Sequence, residues 1–185
     1  MSSIIVRRLR GASGTVKARV APSHGQGRAT CAGMRDMNSG GSWRDRILTD
    51  DAAVVALLRR THRVAVLGIK TADSGQPAHY VPQYAQRAGW HVDPVPVHYP
   101  DVVEILGERV YRTVAAVPGP VDMVNVFRRG PAIAAHVEDI LAAKPNSVWF
   151  QLGIRNDDAA QRFARAGITV VQDRCLMVEM RHAGL

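Results

Sequence analysis

The chain has 185 residues, 46% hydrophobic and 22% charged, a composition that fits one soluble globular domain and excludes a fibrous protein. No run approaches the roughly 18 consecutive apolar residues of a membrane span, and no secretory signal is evident, so a cytoplasmic protein is expected. The net charge of +8 is concentrated at the start: Arg7, Arg8, Arg10, Lys17, Arg19, Arg28 and Arg35 precede the first acid and the remainder is nearly neutral, so nucleic acid is disfavoured as a partner.

Residues 1–42 combine glycines, serines and scattered arginines without a sustained apolar period. Such a segment cannot bury enough surface to offset the entropy of ordering, and it reads as a disordered basic extension. A transit peptide, a reading frame extended upstream of Met34 or Met37, and an RNA-binding arm are the three readings of it. Cys31 falls here and Cys175 near the other end, a pattern that suits a reducing compartment and supplies no disulfide framework or C-x-x-C pair.

Residues 43–185 form the predicted domain. Thr49 or Asp50 caps a lead-in helix whose Val54, Leu57 and Leu58 make one apolar stripe. Strand-like segments follow at Val64 to Leu67, His91 to Val97, Val121 to Val126, Val148 to Phe150 and Thr169 to Val171. Helical patterns lie between most of them, at Pro77 to Ala88, Pro131 to Ala143 and Asp157 to Ala166. Apolar strands alternating with helices predict an α/β fold, a Rossmann-like, doubly wound parallel sheet of about five strands. Only a short helical turn and a short extended piece near Val110 and Tyr111 are expected between the second and third of these strands.

In such a sheet ligands lie beyond the carboxyl ends of the strands. After the first strand, Gly68 to Gln76 lead into the helix at Pro77, where free backbone N–H groups, the helix dipole and Lys70 would suit an anion. The dinucleotide glycine fingerprint is absent, since Lys70 and Asp73 stand where glycines belong, and a turn without ligand is the competing reading. Asp93 in the second strand is the candidate for a ribose-binding acid, or else a residue held sideways within a strand whose prolines suggest an edge. After the third strand, Phe127, Arg128 and Arg129 offer an adenine wall and phosphate forks. Gln151, Leu152, Gly153 and Ile154 border the same edge after the fourth.

The segments "VAVLGIK", "ILGERVY", "VDMVNVFRR", "VWFQLGIRND" and "VVQDRCLMVE", in this order, resemble the stand-alone CoA-binding proteins of bacteria. These are small Rossmann-like domains similar to the CoA-binding domain of the succinyl-CoA synthetase alpha subunit. The resemblance spans about Trp43 to Arg181. It implies CoA or an acyl-CoA as the bound cofactor, with Gly68, Ile69, Lys70 and Thr71 facing its phosphates. Val95, Pro96 and Val97 would border the adenosine, and Phe127, Arg128, Gln151, Leu152, Gly153 and Ile154 would complete the edge. Where many of the family carry Gly-Ala-Ser, this chain has Gly68, Ile69 and Lys70, a bulkier turn with its own cation.

The resemblance does not extend to the synthetase domain that carries the phosphorylated histidine, so ligase activity is not expected of this chain alone. No nucleophile elbow or metal-ligand spacing is visible. His79 and His136 read as helix-surface residues rather than bases. Cys175 follows Arg174, which could activate its thiol toward CoA, though packing of the C-terminal segment is the simpler role. The expectation is a binding module for a small-molecule nucleotide without catalysis of its own, with no membrane contact, and with a protein partner or second copy left open. An NAD(P)-dependent oxidoreductase and a regulatory subunit of an acyl-CoA enzyme are the alternatives.

Overall fold

A computed structural model describes residues 42–185; the basic extension and Cys31 lie outside the described residues. Asp50 accepts the N–H of Ala53 at 2.9 Å and caps helix α1, Asp51–Arg59, which buries Val54, Leu57 and Leu58. A short strand precedes it, β1, Ile47–Leu48. Then come β2, Arg63–Leu67, helix α2, Pro77–Arg87, and β3, His91–Val95. A hairpin of β4, Glu104–Ile105, and β5, Glu108–Arg109, lies in the stretch where only a short helical turn and a short extended piece near Val110 and Tyr111 are expected. The chain continues through β6, Met123–Val126, helix α3, Val137–Ala143, β7, Ser147–Phe150, helix α4, Asp157–Arg165, β8, Thr169–Val171, and helix α5, Leu176–His182.

The main sheet has six strands in the order β1-β8-β7-β6-β2-β3, with all neighbours parallel. Side chains alternate across it. Ala65, Leu67, Val124, Val126, Val148 and Phe150 belong to one core, packed against α3 and α4, while Val64, Val66, Met123 and Trp149 join the other, packed against α1, α2 and α5. With both faces covered, β6 and β7 are wholly buried, which is why these strands read as unbroken apolar runs. Leaving aside the edge strand β1, the order is that of a doubly wound fold whose direction of winding reverses between β2 and β6.

Several expectations are corrected. The sixth strand, β1, was hidden in the lead-in because two residues carry no readable period. The helix expected from Pro131 is a 3-10 segment, Gly130–His136, before it relaxes into α3. The strand predicted to Val97 ends at Val95, so Pro96 and Val97 lie in the following loop. Pro94 sits inside β3, the edge strand, and its carbonyl accepts the Tyr111 N–H at 2.8 Å, so the segment after the hairpin crosses that edge. No helix among the described residues is long and apolar enough to cross a membrane.

Candidate functional site

The winding reversal places the carboxyl ends of β2 and β6 side by side, and Gly68 and Phe127 follow them directly. Phe127 N–H donates to Leu67 O at 2.9 Å, drawing the two loops together. A Cβ on Gly68 would stand 2.7 Å from the Phe127 carbonyl oxygen and 3.1 Å from Arg128 Cδ, and Gly68 has φ of +85°. Only glycine meets both constraints. Gly68→Ala is therefore expected to lower stability by about 1–3 kcal/mol, measured by denaturant unfolding, and to displace the Arg128 side chain.

The loop that follows is tied down by an unusual route. Pro82 inside α2 lacks the N–H that would reach Ala78 O, and that carbonyl instead accepts the Lys70 N–H at 3.1 Å. Gly68 N–H is likewise committed, donating to Val95 O at 2.8 Å. The expectation that the loop offers its N–H groups to an anion is thus corrected for Gly68 and Lys70, whose main chain holds the loop in place. The Ile69 side chain is 1% exposed and packs in the core. This accounts for the bulky residue in the turn: Ile69 points inward while Lys70 lines a cavity.

That cavity, of about 780 Å³, opens between the entrance of α2 and the loops after β2, β6 and β7. It brings together Gly68, Lys70, Phe127, Arg128, Gln151, Leu152, Gly153 and Ile154 from the predicted set, and adds Gln76, Pro77, Tyr80, His98, Arg129 and Cys175. Three cations and no carboxylate line it, so it suits an anion. Arg128 Nε is buried with no partner, and so is Nδ2 of Asn125, three residues earlier on β6. They are the two such side-chain atoms among the described residues. Asn125 Oδ1 accepts Gln151 Nε2 at 2.9 Å, and Gln151 Oε1 accepts the Leu176 N–H at 3.3 Å, which fixes the wall of the cavity to α5.

Pro96 and Val97 lie in a neighbouring cavity of about 400 Å³, which shares His98 with the first and reaches Arg112 and His136. Val95 is 1% exposed and belongs to the core, not to either cavity. Thr71 lines neither, serving as the cap of a 3-10 turn over Ala72–Ser74. His98, in the loop after β3, and Tyr80, on helix α2, escaped the sequence reading because only the turn of the chain and the face of α2 bring them in.

Asp93 is the clearest correction. It is 1% exposed and halfway along β3, and it accepts Arg63 Nε at 2.7 Å and Nη2 at 3.0 Å. Both oxygens are engaged, so Asp93 offers nothing to a ribose. Its effect falls on Arg63, whose pKa it holds above the ordinary value through that hydrogen bond. Arg174 is also committed elsewhere, donating to Asp51 at 2.6 Å and to the Thr49 carbonyl at 2.8 Å, so it is not the activator of Cys175. His79 is buried in α2 rather than at its surface.

His136 ends the 3-10 segment beside the smaller cavity, and burial first, then the charge of Arg128, push its pKa down, with Asp139 opposing. The unfolded imidazole titrates near 6.5, so below that pH the unfolded chain binds the extra proton more readily. Stability is expected to fall as the pH drops from about 6.5 through the folded value. His136→Gln should flatten that limb in denaturant melts across the range.

A further cavity of about 810 Å³ lies at the opposite, amino edge, lined by Arg46, Arg60, Lys144 and Asp122 among others. Arg60 and Lys144 cap the carboxyl ends of α1 and α3, where cations complement the helix dipole rather than await an anion. Asp122 is spent on the N–H groups of His62 and Arg63 and on Asn146. No cluster of metal-ligating side chains occurs among the described residues.

Residues 62–181 match the family model described as a CoA binding domain. The uncharacterised protein YneT of Bacillus subtilis is 32% identical over 127 residues, which span 69% of this chain and 91% of YneT. Among solved structures, the Thermus thermophilus protein described as cell-free ID.343 is 38% identical with a TM-score of 0.66, over 72% of this chain and 98% of that one. A hypothetical protein from Pyrococcus horikoshii OT3 is 26% identical with a TM-score of 0.67, over 74% and 93% of the two chains.

Proposed function

The chain belongs to the CoA-binding domain family, and from that premise we propose that it holds CoA or an acyl-CoA at the carboxyl edge of its sheet as a binding module without catalysis of its own. The observation that carries the reading is the cavity at the winding reversal, with Lys70, Arg128 and Arg129 and no carboxylate. A diphosphate there meets a point charge at Lys70, a planar fork at Arg128 and the positive end of α2, an 11-residue helix entered through Gln76 and Pro77. The smaller cavity with Pro96 and Val97 takes the adenosine, and His98, common to both cavities, marks the passage between them. The thiol-bearing arm then runs along the apolar wall of Phe127, Leu152 and Ile154. Leu152 is 69% exposed, an apolar surface that such an arm would cover.

Isothermal titration of the full chain with CoA, acetyl-CoA, NAD, NADP and ATP tests this reading. CoA and acetyl-CoA are expected to bind at micromolar affinity and the nicotinamide dinucleotides much more weakly. Binding of NAD or NADP in preference to CoA would overturn it.

A further inference from the structure

CoA carries a reactive thiol, and the cavity has one sulfur of its own. Cys175 lines it together with Lys70, Arg128 and Gln151, and it is half-buried and unpaired. Its position is fixed from both sides. Trp149 Nε1 donates to Arg174 O at 2.8 Å, and the Leu176 N–H donates to Gln151 Oε1 at 3.3 Å. The cysteine between them is therefore held against the carboxyl end of β7.

An independent feature at and just behind that wall calls for a ligand. Asn125 is fully buried, is bonded to the cavity residue Gln151, and still has Nδ2 without a partner; Arg128 Nε, on the cavity residue itself, is in the same state. Buried donors left unpaired cost free energy, and such groups in a native fold commonly mark where a ligand or water completes the site.

We propose, on the footing of the CoA-binding reading, that Cys175 exchanges with disulfides of CoA and so retains CoA as a mixed disulfide. The Cys175 thiolate attacks a sulfur of CoA disulfide, or the CoA sulfur of a disulfide between CoA and a small thiol. The Cys175 Sγ–S bond forms as the original S–S bond breaks, and the other half leaves as a thiolate that takes up the proton Cys175 released. The CoA disulfide is the only co-reactant and is consumed in making the mixed disulfide. A free thiol reverses the step and releases CoA. The cations that grip the diphosphate concentrate this disulfide over others at the thiol, so selectivity comes from the cavity.

The test uses the reduced full chain, treated in parallel with CoA disulfide and with hydroxyethyl disulfide. Adducts are followed by intact mass and mapped by peptide to separate Cys175 from Cys31. Rates are normalised to those of N-acetylcysteine with the same reagents. CoA is expected to add to Cys175 at least about tenfold faster than hydroxyethyl disulfide, with the preference lost in the Lys70→Ala, Arg128→Ala double variant. Equal normalised rates at Cys175, or an adduct confined to Cys31, would overturn the inference. Titration of Cys175→Ser with CoA keeps the two readings apart. Undiminished affinity alongside a missing rate preference removes the exchange and leaves the CoA site, whereas no CoA binding by either protein removes both.

Discussion

Arg128→Met is expected to weaken CoA binding by roughly 10- to 100-fold while leaving the folded state as stable as before, or slightly more so. A hydrogen bond between a charged donor and a phosphate contributes about 1.5–3 kcal/mol, and each 1.4 kcal/mol is a factor of ten. The stability half of the expectation comes from the buried Nε without a partner. Without ligand, the guanidinium is a partly desolvated charge on a cavity that Lys70 and Arg129 also line and, among the described residues, no carboxylate does. Methionine keeps the packing of the stem and removes that cost. Lys70→Ala removes a more flexible, solvated charge, so its effect should be smaller and should shrink faster with added salt. Arg155→Ala, which loses only an exposed pair with Asp157, serves as the control with no change. Calorimetric titration and denaturant melts of the same variants measure both quantities. Because Arg128 also pushes down the His136 pKa, Arg128→Met should raise it, visible as an upward shift of the His136 titration by NMR.

Arg63→Met is expected to cost about 3–5 kcal/mol of folding stability, because it strands the carboxylate of Asp93 in the interior. The pair is bidentate, with Asp93 1% and Arg63 24% exposed. His91 Nε2 lies 3.2 Å from Asp93 Oδ1 but on a side chain 48% exposed, so it compensates only in part. Replacing both partners, as Arg63→Met with Asp93→Leu, should recover most of the loss, since apolar groups of similar volume can replace a buried ion pair without penalty. Chemical denaturation checks the energies. A milder variant of the same pair, Asp93→Asn, discriminates between the cofactor readings. CoA affinity of the folded fraction should be unchanged in Asp93→Asn, whereas a dinucleotide site built on Asp93 would lose its ligand.

Asp93 also shows where a sequence reading reaches its limit. An acid near the end of an apolar strand, followed by proline, is compatible with a ribose ligand and with an internal ion pair. The choice is made by Arg63, which the register of β2 against β3 sets opposite His91, two residues from Asp93 on the same face, from where its side chain reaches Asp93. Ile69 and Val95 show the same limit on a smaller scale. The resemblance placed them at the ligand by position along the chain, but alternation across the sheet turns Val95 into one core, and the loop after β2 turns Ile69 into the other. That the Ala78 carbonyl, left unbonded by Pro82, anchors Lys70 depends on how the loop folds back over α2.

The sequence by itself determined the fold class, five of the six strands of the main sheet, the helices α1, α2 and α4, the cap at Asp50 and the carboxyl edge as the place to look. Those follow from period, turn chemistry and continuous apolar runs, which are local and survive in a single chain. Only the tertiary structure decided the strand order, the added edge strand β1 and the side of the sheet each loop residue serves. It also decided that Lys70, Arg128, Gln151 and Cys175, distant along the chain, share one cavity. These are matters of pairing and register, and the free energies that settle them come from contacts between segments that carry no mark of one another in the sequence.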